Sequence, residues 1–299
     1  FTSVTYSNVA FREPESRADQ TRMMSIVTTG PETGYYIDVF RSRKEQGGDK
    51  MHDYFYHNLG QTMTLTAADG TDLNLQPTEE LAFAGAHLYA YSYLYDKKVA
   101  ATDKDVKVTF TIDMKDKDGD DISMNLWMKG EPEREVFTAL APMTEGLSRI
   151  PGMPYNIKEQ PTLTFVARQH GEAWNRPFVA VYEPSTRKEP SAIEAVSFFD
   201  AEEAGLKDFA GICVESKNGR TDHIFSLSDS SQTATYRGMK VKADYAVISN
   251  EYAGNRTFFL GNGTQLITPD VSIRTSAAAN VLLEQKQGKW YILSSAPCK

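Results

Sequence analysis

Cysteine is scarce in this sequence, and so are long apolar runs. The 299 residues contain two cysteines, Cys213 and Cys298. Two cysteines provide no framework of paired spacings, and they leave the redox compartment open, because one disulfide and two free thiols both fit them. No stretch approaches the roughly 20 apolar residues that a membrane-crossing helix needs. The sequence therefore predicts a chain without a membrane span.

Dense clusters of basic residues are also missing. The chain has 32 Lys and Arg against 40 Asp and Glu, for a formal net charge of -8. Binding to a nucleic-acid backbone depends on clustered Lys and Arg, so we predict that nucleic acid is not a partner. An acidic ligand stays possible, because a local basic cleft could hold one.

Several enzyme signatures are absent. The sequence has no Gly-x-Ser-x-Gly elbow, no His-Glu-x-x-His pair, no Walker loop and no Gly-x-Gly-x-x-Gly after a strand. Each of these motifs places a nucleophile, a metal or a phosphate in a defined local structure. We therefore predict no complete catalytic site within these residues.

Strand patterns, in contrast, are abundant. Residues 106–112 (VKVTFTI) alternate apolar and polar side chains, the pattern of a half-buried strand. The Asp-rich residues 116–121 follow and lead into residues 122–128, which predicts a hairpin. Other alternating runs are 35–40, 62–65, 88–94, 162–167, 178–182, 212–214, 223–227, 243–248, 257–260 and 290–293.

Turn dipeptides separate these strands, and helical periodicity is nearly absent. The dipeptides are Asp69-Gly70, Asp118-Gly119, Asn218-Gly219 and Asn262-Gly263. Only residues 200–209 have a helical pattern, which Gly205 weakens. The sequence therefore predicts an all-β, antiparallel sandwich or barrel. The proline-containing stretch 183–191 predicts a linker or crossover between a larger β region, 1–185, and a smaller one, 186–299.

The most unusual stretch is 35–60, which concentrates His52, Asp53, Tyr54 and His57 behind a Gly-Gly loop. In a strand, His52 and Tyr54 share one face, while Asp53 and His57 share the other. A metal site from this segment alone would need a bulge or a further ligand, and His57 with Asp53 is the easier pair. The alternative is that these polar tips form hydrogen bonds at a sheet edge while their rings pack.

Trp174 is a second candidate. It lies in a polar segment, 168–176, together with His170, Glu172 and Arg176. An exposed aromatic ring flanked by hydrogen-bonding side chains can stack on a sugar. A turn that closes the end of a sandwich with a tryptophan is equally compatible with the pattern.

Several motifs resemble those of one enzyme family. The run YYIDVFRSRKEQGGDKMHDYFYHNLG resembles the segment of heparinase II/III-like polysaccharide lyases in which Y-x-x-D-x-F-R leads through a Gly-Gly turn into H-D-Y-x-x-H-G. The stretches LAPMTEG, TLTFVARQHGEAWNRPFVAVYEP, YRGMKVKADYAVIS and FFLGNGTQL then follow in the family's order. The resemblance covers most of the chain.

This resemblance implies a fold and an activity. The family has an α/α toroid, then a two-sheet β-supersandwich and often a smaller β domain, and it cleaves uronate-containing polysaccharides such as glycosaminoglycans by β-elimination. Only the β part is similar to this chain. The family motif H-G-H-x-D is absent here, and the resemblance implies that it lies upstream of Phe1, after an N-terminal toroid. A periplasmic or secreted location is implied as well.

The resemblance also suggests site residues. Arg41 is available for a uronate carboxylate or a sulfate, and His52, Tyr54 and His57 are expected on the cleft side, with Trp174 as a further sugar contact. His57 and Asp53 are the implied zinc ligands, although one His and one Asp make an incomplete shell.

The leading hypothesis is therefore the β-sandwich portion of a polysaccharide lyase, which forms one wall of the cleft for an acidic polysaccharide and has little activity alone. The rival is a stand-alone, non-catalytic carbohydrate-binding sandwich that uses Trp174. A complete enzyme with a mutarotase-like sandwich would need a convergent His/Glu site, which these residues do not assemble.

Overall fold

The described residues of the chain form twenty β-strands and two 3₁₀ helices, Ala86–Tyr93 and Glu145–Arg149. The computed structural model describes residues 1–83, 86–114, 120–149, 159–251 and 254–296. In chain order the strands are β1 (Val4–Arg12), β2 (Asp19–Thr28), β3 (Gly34–Arg43), β4 (Met51–Asn58), β5 (Thr62–Ala67), β6 (Gln76–Pro77), β7 (Tyr95–Ala101), β8 (Val106–Ile112), β9 (Ile122–Met128), β10 (Arg134–Ala141), β11 (Thr162–His170), β12 (Ala173–Thr186), β13 (Ile193–Phe199), β14 (Ala210–Ser216), β15 (Thr221–Ser226), β16 (Ala234–Tyr236), β17 (Met239–Asn250), β18 (Arg256–Ile267), β19 (Ser272–Lys286) and β20 (Lys289–Ser294).

These strands form three antiparallel sheets. The first has seven strands in the order β1-β2-β3-β12-β9-β8-β5, and the second has five in the order β4-β11-β10-β7-β6. The third has eight strands, β13-β14-β15-β17-β18-β19-β20 with β16 paired to β17. The predicted all-β antiparallel fold is confirmed. Strands β8 and β9 pair as the hairpin prediction requires, although most of its turn lies outside the described residues.

The seven-stranded sheet is the middle layer, because its two faces contribute to two different cores. One face, with Val27, Ile37 and Val181 among its residues, packs against Ile212 and Val247 of the eight-stranded sheet. We call this the closed face. On β2 and β3 alternate side chains of this face are almost completely buried, from Met23 to Val27 and from Tyr35 to Arg41, as the period of two in a strand requires.

The opposite face is covered only in part. The five-stranded sheet packs its inner side chains, such as Tyr54 and Phe165, against Phe110 and Phe178 of the middle sheet. Its edge strand β4 lies over β3, where the Phe40 and Tyr54 rings are 6.4 Å apart. Beyond β4 the side chains of β1–β3 stay exposed. We call this surface the open face; its members are Val9, Arg22, Met24, Ile26 and Tyr36.

Residues 88–94, predicted as a strand, are largely a 3₁₀ helix, so that prediction was wrong. Tyr91 and Leu94, three residues apart, pack against the outer side of the five-stranded sheet. This spacing matches the three residues per turn of a 3₁₀ helix. Alternation of tyrosines had suggested a strand, but contacts with the sheet below it determine the conformation.

Two further local predictions were wrong. Residues 200–209 form turns and not a helix, because Glu202 and Glu203 bond to β16 through Thr235. Asn262-Gly263 is an irregularity within β18 and not a turn. A Cβ on Gly263 would lie 2.3 Å from that of Ala243, so only glycine lets the two strands approach there.

The connection between the first and third sheets, from β12 to β13, is short and anchored. β12 continues to Thr186, and the buried Glu183 accepts hydrogen bonds from the Ala192 and Ile193 amides at 2.7 and 3.0 Å. The division at 185/186 stays a prediction.

Cys213 is a half-buried free thiol, and its pKa is raised by burial. Cys298 lies outside the described residues. No helix in the described parts of the chain has the length and apolar character for a membrane crossing.

Candidate functional site

Strand β4 carries most of the predicted site residues and separates them onto two sides of the five-stranded sheet. Tyr54 belongs to the inner core, while Phe55 packs on the outer side. His52 lies near the start of the strand, where its Nε2 is 2.6 Å from Asp49 Oδ1. The predicted residues therefore do not converge on a single point.

Asp53 is used by a structural ion pair on the outer side. Its Oδ1 accepts a hydrogen bond from Arg168 Nε at 2.7 Å, and its Oδ2 accepts from Arg168 Nη2 at 2.8 Å and from the Tyr91 hydroxyl at 2.6 Å. Arg168 also bonds Glu80 at 3.2 Å. This network ties Glu80 and Tyr91 to the sheet, and it engages both oxygens that a metal would need.

His57 lies on the same outer side, farther along β4. Its Nδ1 is 2.9 Å from Thr164 Oγ1, and its ring stacks on Phe55 at 5.8 Å. Burial lowers the pKa of His57 below its usual value of 6.5, so the imidazole is neutral at pH 7.

Asp53 and His57 do not fit a shared zinc ion. Four residues along a strand span about 13 Å, much farther than two ligands of one ion. Among the residues that the structure describes, no three His, Cys, Asp or Glu side chains form a group that could hold a metal.

Arg41 has a position different from the one expected. It lies on the closed face, where its Nη2 donates to the carbonyl oxygens of Asp208 at 2.8 Å and Ser226 at 3.2 Å. Burial lowers its pKa to about 10. This guanidinium joins the first and third sheets and has no open surface on which a sugar carboxylate could sit.

Trp174 lies at the start of β12, and one face of its ring is occupied. The guanidinium carbon of Arg43 is 4.2 Å from the ring centroid, a cation–π contact. Nearby Glu172 and Arg176, where β11 turns into β12, line a cleft of about 530 Å³. Residues 200–209 form its other side. The polar neighbours of Trp174 thus face a cleft of mixed charge, while the ring stacks on an arginine.

The structure brings Tyr54 together with three residues that the sequence analysis did not select. The Tyr54 hydroxyl donates to Asp38 Oδ2 at 2.6 Å and also contacts the hydroxyl of Tyr182. Arg22 donates to the same carboxylate, from Nε to Oδ1 at 3.0 Å and from Nη2 to Oδ2 at 2.5 Å. We call these four residues the tyrosine–aspartate cluster.

Burial dominates the electrostatics of this cluster. It raises the pKa of Tyr54 and of Tyr182 well above 10, and the nearby Asp38 carboxylate raises both further. The hydrogen bond with Asp38 raises the pKa of Arg22. Both tyrosines therefore keep their protons at neutral pH, and the cluster holds one buried anion against one permanent cation.

The cluster connects the interior to the open face through Arg22. The Asp38 side chain is 2% exposed, whereas that of Arg22 is 45% exposed. Val9 is paired directly opposite Arg22, and Met24 opposite Asp38, so apolar residues neighbour the ion pair on this face. Asp38 balances the charge of this guanidinium and fixes its position, and its exposed part can donate hydrogen bonds to a carboxylate or sulfate.

A sequence signal existed for part of this cluster. Asp38 occupies the centre of an apolar strand, and a buried carboxylate requires a partner. Nothing local identified the partners, because Arg22 lies on the preceding strand and Tyr182 on a strand far along the chain.

Comparison with known proteins relates the chain to polysaccharide lyases. Residues 196–285, within the eight-stranded sheet, match the family described as the endo-acting ulvan lyase C-terminal domain. An endo-acting ulvan lyase of Formosa agariphila is 33% identical over 234 residues, which cover 76% of this chain and 27% of the relative. The chain thus spans about a quarter of that protein's length.

These matches support a lyase-related β-sandwich, the coarser part of the resemblance drawn from the sequence. They do not single out the heparinase II/III-like family, which stays a prediction.

Proposed function

We propose that this chain is the β-sandwich part of a polysaccharide lyase and that its open face forms one wall of the cleft for an acidic polysaccharide. The observation that carries the proposal is the 33% identity over 234 residues to an endo-acting ulvan lyase. Ulvan is therefore the polysaccharide to test first. The open face supplies the matching chemistry, since the Arg22 guanidinium, held in place by Asp38, is partly exposed at a surface that the other sheets leave uncovered.

The reaction that the heparinase II/III-like resemblance suggests is β-elimination at a uronate residue. It needs a cation near the carboxylate, a base for the C5 proton and an acid for the leaving oxygen. Arg22 is our candidate for the first role. Tyr54 and Tyr182 are protonated and buried, so neither serves as the base in this chain.

Under this proposal the proton-transfer groups belong to another part of the enzyme, which the resemblance identifies as an α/α toroid. The isolated chain should then bind the polysaccharide and cleave little of it. A periplasmic or secreted location belongs to the same proposal, because a polymeric substrate is met outside the cytoplasm. Fractionation of the producing cells would test the location.

The binding test is affinity electrophoresis of the chain in gels with and without ulvan. We expect ulvan to retard the wild-type protein and the retardation to weaken as salt screens the charges. The Arg22→Gln variant should lose most of the retardation. Arg256→Gln is the matched control, because Arg256 also pairs with an aspartate, Asp270 at 2.9 Å, but in another sheet.

Two outcomes would overturn the proposal. One is a wild-type protein that ulvan does not retard, and the other is an Arg22→Gln variant that is folded by circular dichroism and is retarded as strongly as the wild type. Cleavage is followed by the ultraviolet absorbance of the unsaturated uronate product. Vigorous product release by the isolated chain would contradict the assignment of the catalytic groups to another part of the enzyme.

A further inference from the structure

A second surface, remote from the open face, presents a group of exposed tyrosines. Tyr89 and Tyr93 of the 3₁₀ helix and Tyr95 at the start of β7 are between 48% and 60% exposed. Met143 lies beside Tyr93 and Tyr95 and is also exposed. We call the three tyrosines the tyrosine ridge.

The ridge is held in place from below. Tyr91 lies between Tyr89 and Tyr93, points inward and donates its hydroxyl hydrogen to Asp53 at 2.6 Å. Its ring meets Phe55 edge to face at 5.3 Å. The Leu94 amide donates to the Tyr91 carbonyl at 3.1 Å, and the Leu94 side chain packs with Phe137 and Val166. The exposed rings therefore project from an anchored segment.

Two grooves meet at this ridge. One, of about 530 Å³, runs past Tyr93, Met143 and two prolines, and the other, of about 470 Å³, runs past Thr78 and Lys97. Both grooves share Leu94 and Tyr95. An extended ligand lying across Tyr95 would fill both, which suits a polymer better than a small molecule.

The side chains around the grooves identify the class of ligand. Tyrosine offers a flat aromatic face for the C–H groups of a pyranose ring and a hydroxyl for a sugar oxygen. The charged side chains that line the grooves are Glu79, Asp96 and Glu159 against Lys97. This excess of acidic groups disfavours an anionic sugar at the ridge.

We propose that the tyrosine ridge is a polysaccharide-binding subsite that stacks uncharged sugar units of the same polymer whose acidic units bind at Arg22. This inference rests on the proposed function and deepens it. The open face binds through charge, and the ridge binds through aromatic contact. Trp174, the aromatic residue that the sequence suggested for stacking, contacts Arg43 instead.

The experiment is affinity electrophoresis in ulvan at low salt and at about 1 M salt, where charge interactions reach only about 3 Å. The double variant Tyr93→Ala/Tyr95→Ala should weaken binding by about tenfold at both salt concentrations, as expected for two lost aromatic contacts. Tyr93→Phe/Tyr95→Phe retains the rings and should bind nearly as the wild type does. Tyr291→Ala, an exposed tyrosine on β20, is the control.

The outcomes separate this inference from the proposed function. If Arg22→Gln weakens binding and Tyr93→Ala/Tyr95→Ala does not, the ridge is no subsite while the function stands. If only the tyrosine variant weakens binding, the ridge stands and the role of Arg22 is overturned. A wild-type chain that ulvan does not retard overturns both. Thermal unfolding of each variant confirms that the fold is intact.

Discussion

The two faces of strands β1–β3 differ in their surroundings although alternate residues of the same three strands form them. On β2 and β3, successive side chains alternate between a core and solvent. Ile37 on the closed face is 0% exposed, whereas Ile26 on the open face is 45% exposed. The eight-stranded sheet covers the first face, and the five-stranded sheet ends at β4 before it covers the second.

This difference teaches that apolar character alone does not say which side of a strand is buried. Both faces of β2 carry apolar residues, Met23 and Val27 on one side and Met24 and Ile26 on the other. Exposed apolar surface of this extent on one sheet face is typical of a contact surface. The proposed cleft wall therefore lies on the face whose apolar side chains are not covered by the chain's own core.

The largest expected effect compares two buried aspartates. Asp222 on the closed side accepts from Arg220 Nε at 2.9 Å and from the Tyr35 hydroxyl at 2.6 Å, and the Arg220 side chain is itself buried. We expect Asp222→Ala to lower the free energy of unfolding by about 3–5 kcal/mol, because it removes the more deeply buried of the two carboxylates that pair with Arg220 and leaves the buried Tyr35 hydroxyl without its acceptor; Glu251, at 2.8 Å, is the other carboxylate.

For Asp38→Ala we expect a smaller loss, about 1–3 kcal/mol, since Arg22 can turn toward water. Urea denaturation measures both. Equal losses of unfolding free energy for the two variants would mean that Arg22 is as buried as Arg220.

The next effect concerns two isoleucines. Ile37→Ala should lower the free energy of unfolding by about 2–4 kcal/mol, because it leaves a cavity in the core behind the closed face. Ile26→Ala should change this free energy by at most about 0.5 kcal/mol. The measurement is again urea denaturation, over a range of protein concentrations. If Ile26→Ala costs as much as Ile37→Ala, a second molecule covers the open face in solution.

The smallest effect is a pH dependence at the alkaline end. Burial raises the pKa of Tyr35 on the closed side and of Tyr54 on the open side well above 10. Their protons are lost from the unfolded chain near pH 10 but are kept in the native state. Stability must therefore fall as the pH rises above 10.

Tyrosinate absorbance during an alkaline titration follows this behaviour. Tyr35→Phe and Tyr54→Phe should each remove one tyrosine that ionises only on unfolding. If Tyr54→Phe instead removes a tyrosine that ionises near pH 10, water reaches the tyrosine–aspartate cluster from the open face, and Tyr54 is less buried than Tyr35.

Sequence patterns predicted the fold well wherever a strand has a strict period of two. Residues 106–112 coincide with β8, and the all-β antiparallel class followed from many such runs. The pattern failed at residues 88–94, where tyrosines alternate but contacts with Asp53 and Phe55 favour a 3₁₀ helix. Contacts with distant residues override local periodicity there.

The candidate site was predictable only in part. Alternation on β4 correctly separated Tyr54 from Asp53 and His57. It could not show that Asp53 is paired with Arg168, that Arg41 lies between two sheets, or that Asp38 joins Tyr54 to Arg22. Each of these facts depends on which strands become neighbours, and that order is not encoded in the spacing of any one segment.

The bridge from Tyr35 to Asp222 has a consequence for cutting the protein into pieces. It joins the middle sheet to the third sheet within one shared core, so a fragment that stops at residue 185 would expose the whole closed face to water. Such a fragment should aggregate, and limited proteolysis of the intact chain should release no stable half. Residues 1–185 and 186–299 would then unfold together, as one cooperative unit.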